Sequence, residues 1–186
     1  TEDVAAIPVA NIPSLSTTVV QSLTSSQVLN LTNTQLKAMT ASQLNALEAG
    51  DVSGMSTTQV TQLTAIQMSG LSTGFLDSLT TAQFTTLSAT QITALDSAQV
   101  GSLAEAKVTA LNTAQIRALA TDELNALSTA QIAAIETADL TALSATQLAD
   151  VSTTFVQALS SDQVTALTIS QLKTLSATQL NALDTA

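Results

Sequence analysis

Few side chains here could do chemistry. Two short segments bring acids together, Glu48-Ala49-Gly50-Asp51 and Glu136-Thr137-Ala138-Asp139. Each can be read as a pair of carboxylates or as cation ligands. Each also falls where a helix begins in the repeat described below, and acids there are stabilised by the backbone dipole. The cap reading is therefore preferred. The many serines find no partner for nucleophilic work: histidine and cysteine are absent, which removes a Ser-His-Asp triad, a Cys-His pair and an ordinary zinc site. No glycine-rich phosphate loop and no Asp-x-Asp-x-Asp-Gly calcium loop occurs. The aromatic residues are Phe75, Phe84 and Phe155. Their helical spacing reads as core rather than as a platform for a sugar or a base. The sequence predicts no catalytic, cofactor-binding or metal site, no cofactor and no enzyme.

The elements that hold these residues repeat every eight positions. Numbering each octad from its leucine, position 0 runs Ile7, Leu15, Leu23, Leu31, Met39 and on to Leu183, apolar at all 23 places. Position 5 runs Val4, Ile12, Val20, Val28, Leu36 and on to Leu180, also apolar throughout. Position 1 is Ser or Thr in 15 of 23 octads and position 4 is Gln in 14 of 23, so both are rules rather than coincidences. Such a fixed period decides the fold.

Three folds compete for an octad. One continuous helix advances about 800° in eight residues, so its apolar stripe drifts about 80° per octad and cannot face one partner. A β-solenoid would send positions 0 and 5 to opposite faces. Its turns would also have to be made with five glycines. Many Thr and Val keep it as the alternative. The third reading uses every position. Ser/Thr at position 1 and Gln at position 4 form a capping box, and the apolar residues at 0 and 5 are then N′ and N4 of a hydrophobic staple. Each octad starts a new helix of about six residues. The expected fold is all-α: a tightly wound solenoid of very short helices, one per octad, forming a single continuous domain over residues 1–186.

Details modify this pattern. Position 0 is expected to be the most buried column. Val19, Phe75 and Phe155 stand at position 4, which places that column at the edge of the core. There the glutamines could form a ladder with one another or with neighbouring backbone. Lys107 at position 4 suggests that the column meets water in places. Pro8 and Pro13 would brace the first octads. Asn30-Leu31-Thr32 is a glycosylation sequon and a weak signal alone.

Net charge is −10 with four basic residues, which argues against nucleic acid and anionic membrane surfaces. No apolar run is long enough to span a membrane. A Ser/Thr-rich, lysine-poor, cysteine-free chain suits an extracellular or cell-surface setting. Without an initiator methionine, it reads as processed or excised from a longer array.

The pattern Leu-Ser/Thr-x-x-Gln-Val/Ile/Leu-x-Ala, as in Leu175-Ser176-Ala177-Thr178-Gln179-Leu180-Asn181-Ala182, resembles the Leu-Thr-Thr-Ala-Gln-type tandem repeats of large secreted and cell-surface proteins of bacteria. The resemblance covers the whole chain, implies an extracellular structural or adhesive role and brings no catalytic residues. The expected function is a surface fibre, filament subunit or adhesin stalk. It would self-associate head to tail through the octads from Val4 to Leu15 and from Leu172 to Leu183. The alternative is a module that presents rows of Ser and Thr at positions 2 and 3 to a polysaccharide or to ice.

Overall fold

The computed structural model describes residues 2–183, with side chains from Val4 onward. Asp3, which stands at position 4 of its octad, lies outside the described side chains. Among the described residues the chain is helix, short turn and helix again, with no strand. The helices are four to seven residues long, for example Asn33–Ala38, Thr57–Thr61 and Thr113–Ala118. This is the expected all-α array.

The corner between helices explains why so few glycines suffice. Position 0 and position 1 both take extended backbone: Met39 at φ −66°, ψ 142° and Thr40 at φ −76°, ψ 157° form one such corner. These angles are open to every L-residue. Among the described residues none has a positive φ. The next helix is then started by the predicted box. At every position-4 glutamine the position-1 side chain accepts from the glutamine's backbone amide, and Oε1 accepts the position-1 amide. Thr40 and Gln43 show both, at 3.2 and 2.8 Å. The first octads differ. Pro8 and Pro13 have no amide hydrogen to give, and Val9–Ser14 is a 3-10 helix without a side-chain cap. Ile12 still reaches the core there.

The chain forms two compact units, Thr1–Ala94 and Leu95–Ala186. In the first, Ala65–Ser69 packs on Ala89–Thr93 and Ala49–Gly54 on Thr73–Ser78. In the second, Ser97–Gly101 packs on Thr121–Ala126 and Thr113–Ala118 on Thr137–Ala142. In both units a helix rests on the third helix along the chain, so each unit is a coil whose turn takes a little over three octads.

Position 5 is the most buried column, at no more than 2% exposed from Ile12 to Val156, whereas position 0 lies between 2% and 8% from Leu31 to Leu175. This corrects the expected ranking. Position 5 sits on a helix face turned into the coil. Position 0 sits in the corner, where the extended backbone leaves one side of the residue near solvent. Phe75, Phe84 and Phe155 are all buried, as their spacing required.

Close packing between turns is tightest at two glycines. A Cβ on Gly70 would lie 2.6 Å from Ala41 Cβ, and one on Gly101 would lie 2.8 Å from the Ala126 carbonyl oxygen. Gly50 and Gly54 have open space around them.

Candidate functional site: the glutamine column and the open turns

The residues with the most specific geometry are the position-4 glutamines. Besides boxing its own helix, most of them reach the turn before. Gln35 Nε2 donates to the carbonyls of Val4 and Ile7 at 2.9 and 2.8 Å. Gln67 serves Leu36 and Met39 at 2.8 and 2.7 Å. In the second unit Gln163 serves Ile132 and Ile135 at 2.9 and 2.8 Å, and Gln171 serves Leu140 and Leu143 at 3.1 and 3.0 Å. The accepting carbonyls belong to positions 5 and 0 at the end of a short helix; the position-5 carbonyl also takes the position-0 amide, as Ile132 takes Ile135 at 3.1 Å, while the position-0 carbonyl lies past the last helical turn. One amide therefore caps the start of its own helix and the end of another. The expected ladder forms with backbone: Gln35, Gln67 and Gln163 all place Nε2 on carbonyls of the turn before. Two separate demands fix the glutamine: an acceptor for the N-cap amide and two donors for the turn before. Most of the column is buried, Gln35 and Gln115 to 1% exposed, and no buried side-chain nitrogen or oxygen among the described residues lacks a partner.

The substitutions in this column show what each position needs. Asp51 and Asp139 are 6% and 7% exposed and cannot donate as carboxylates. Each instead accepts a hydroxyl from the turn before, from Ser25 at 2.7 Å and Thr113 at 2.9 Å. Glu48 and Glu136 occupy the N-cap position by backbone angle, yet neither side chain makes a cap hydrogen bond. The cap reading of the two acid pairs is corrected on this point. The glutamate stem is too long to fold back onto the third amide of its own helix, and the aspartate is engaged by the turn before. Among the described residues no group of three or more His, Cys, Asp or Glu could hold a metal ion.

Lys107 is only 5% exposed, so the column does not open to water there. A lysine fits because its apolar stem fills the space of the glutamine stem and its head is also a donor. At Ala120 the acceptor half of the box survives alone, with Glu123 Oε2 taking the Ala120 amide at 2.8 Å.

At Phe75 and Phe155 the column loses both functions, and asparagine from the turn before restores the first. The Ser72 amide donates to Asn45 Oδ1 and the Ser152 amide to Asn125 Oδ1, each at 2.7 Å. Asn45 Nδ2 also donates to the Gly70 carbonyl at 2.9 Å. Both asparagines stand at position 6. Sequence reasoning missed this pair of roles. Its signal was present, since position 6 carries asparagine only at Asn45, Asn125 and Asn181 and position 4 is apolar only at Val19, Phe75 and Phe155.

Exposure of the apolar columns differs between the first and last of the described octads. In the first, Ile7, Leu15 and Leu23 are half-buried and Val19 is 46% exposed. With Val4, Ile12, Val20, Leu31 and Met39 they line a depression whose walls are wholly apolar. In the last, position 5 is bared instead: Val164 and Leu172 are half-buried and Leu180 is 43% exposed. Among the described residues no helix is long and apolar enough to cross a membrane.

A comparison with curated proteins finds no match. The family model of the ALTTAQ repeat matches residues 107–134 and again residues 132–169, so the chain carries tandem repeats and over these residues is similar to that family.

Proposed function

We propose that the chain is a structural repeat protein of an extracellular or cell-surface assembly, a fibre or filament subunit or an adhesin stalk, which associates end to end. The observation that carries this reading is the regularity of the array: octad after octad restarts a short helix that packs on the third helix along the chain and is tied to the turn before by its glutamine. Turns built alike can stack on the turns of another copy, and such a heterologous contact repeats from copy to copy. The extracellular setting rests on the cysteine-free, lysine-poor composition and on the resemblance of the octad to secreted bacterial repeats. The reading assigns no catalysis. A ligand-binding row of Ser and Thr is weakened by Ile66 and Ile169, 85% and 72% exposed in that row. It is weakened again by Ser25 and Thr113, whose hydroxyls bond to buried aspartates.

The test is sedimentation velocity and negative-stain microscopy of the 186-residue protein over a wide concentration range. A second protein carries a polar turn of octads fused ahead of Thr1. Growth of the first into rods or filaments, blocked in the second, is the expected result. Two monomers of unchanged sedimentation at the highest concentration would overturn the proposal.

A further inference from the structure

One side of the first unit carries no charged residue. Its helices Thr17–Gln21, Ala41–Leu44, Ala65–Ser69 and Ala89–Thr93 pack on one another in that order. Lys37, Glu48, Asp51 and Asp77 all belong to other helices or their caps. On this side stands Ile66, at 85% the most exposed large apolar residue among those described. Its place in the octad explains the exposure, since position 3 is also exposed at Ser42 and Thr90 on the turns to either side. Next to it along the helix, Ala65 joins Ala89, Thr90, Thr93 and Ala94 in lining a shallow groove between two turns. The polar groups around Ile66 are already spent. The Ser69 hydroxyl donates to the Ile66 carbonyl and the Thr93 hydroxyl to the Ala89 carbonyl, each at 3.0 Å. Asn45 gives Nδ2 to the Gly70 carbonyl and takes the Ser72 amide. Covering this side therefore orphans few donors, desolvates no charge and removes an exposed isoleucine from water. A polysaccharide or an ionic partner would find few free donors and no counter-charge.

We infer that this side is the contact surface for a second copy of the chain, laid against it about a two-fold axis, so that Ile66 of each copy enters the groove of the other. A knob and a groove on one side make the surface self-complementary, which an isologous contact requires. Copies of a chain with net charge −10 repel one another, and an uncharged side lets them approach. The contact is side by side, so it goes beyond the end-to-end reading and does not depend on it. Four short helices from each copy make a small interface, of the class that associates weakly and reversibly.

The protein with the polar turn ahead of Thr1 separates this contact from growth at the ends. Sedimentation velocity at rising concentration is expected to show it in monomer–dimer equilibrium. Ile66→Glu, at an exposed site in the first turn of its helix, should fold as the parent and weaken dimerisation at least about tenfold, because it sets a charge into the groove of the other copy. Ile169→Glu, at a residue 72% exposed, should leave dimerisation unchanged. In a mixture of two differently isotope-labelled copies, nuclear Overhauser effects should link the Ile66 methyls of one copy to the Ala89 or Ala94 methyls of the other. Dimers that persist in Ile66→Glu, or Overhauser effects confined to other residues, overturn the assignment of this side. So does a monomer at every concentration. A monomer whose Ile66 and Ala89 methyl signals shift on adding dextran gives the side to a polysaccharide and overturns the pairing. None of these outcomes bears on the end-to-end reading, which the growth of the unblocked protein decides.

Discussion

Replacing Gln163 by methionine keeps the length of the side chain and removes all its hydrogen bonds. Gln163 is 2% exposed. It donates to the carbonyls of Ile132 and Ile135 and accepts the Ser160 amide at 2.8 Å. The Ile132 carbonyl keeps the Ile135 amide at 3.1 Å. The main orphans are therefore the Ile135 carbonyl and the Ser160 amide. An unsatisfied buried group costs about 1–3 kcal/mol, and the Ser160 corner is open enough for water to recover part of that. The expected loss is about 2–5 kcal/mol. Gln147 makes the same kinds of bond, to the Leu119 carbonyl at 2.7 Å and from the Ser144 amide at 3.0 Å, but is half-buried. Gln147→Met should cost only about 1–2 kcal/mol, since water can replace the amide there. Urea melts followed by circular dichroism give both values, with the slope checked because repeat arrays can unfold in parts. A rescue makes the reasoning sharper. Ala133 stands to Gln163 as Asn125 stands to Phe155, and it is exposed. Gln163→Phe alone should be destabilising, and Ala133→Asn added to it should recover at least about 1 kcal/mol as a coupling energy. Equal stability of Gln163→Met and the parent, or a coupling of zero, would refute the claim that the column is held by these bonds.

Other perturbations test other layers of the fold. Gly101→Ala drives a methyl against the Ala126 backbone and should destabilise by about 1–3 kcal/mol. Gly50→Ala adds a methyl in open space inside a helix and should stabilise by about 0.5–1 kcal/mol. Melting temperatures that move in the same direction would contradict the packing. Ile116→Asp, at 0% exposure, should cost about 4 kcal/mol or more. Thr129→Asp, exposed in the first turn of its helix, should stay within about 0.5 kcal/mol. Thr113 is unsuitable as that control, because its hydroxyl serves Asp139. Far-ultraviolet circular dichroism should be helical, with a weak long-wavelength band from helices of four to seven residues; a β-type spectrum would contradict the fold.

The capping boxes were legible because both partners lie within one octad, where spacing alone brings Ser56 to Gln59. The helices and their restart every eight residues follow from the same local chemistry. What the glutamine does with its other end was not legible. Whether Gln59 meets another glutamine or the Val28 and Leu31 carbonyls depends on how many octads make a turn, and no residue within one octad specifies that. The burial of Lys107 was misjudged for the same reason, since a lysine in a repeat looks like a solvent marker until its column is seen to face another turn. The acid pairs illustrate a different limit. Glu48 and Asp51 do fall at cap positions, but the partner that matters for Asp51 is Ser25, three octads away along the chain. Long-range pairing of this kind leaves a trace only when two rare residues co-occur, as Asn45 does with Phe75 and Asn125 with Phe155.

The most direct test of the account is the exchange of glutamine side-chain amides, read by nuclear magnetic resonance after transfer of the labelled protein into heavy water. If the column joins each turn to the one before, the Nε2 protons of Gln43, Gln67 and Gln163, bonded to buried carbonyls, must persist while those of exposed Gln21 vanish at once. Immediate loss of every glutamine amide proton from a folded protein would contradict it.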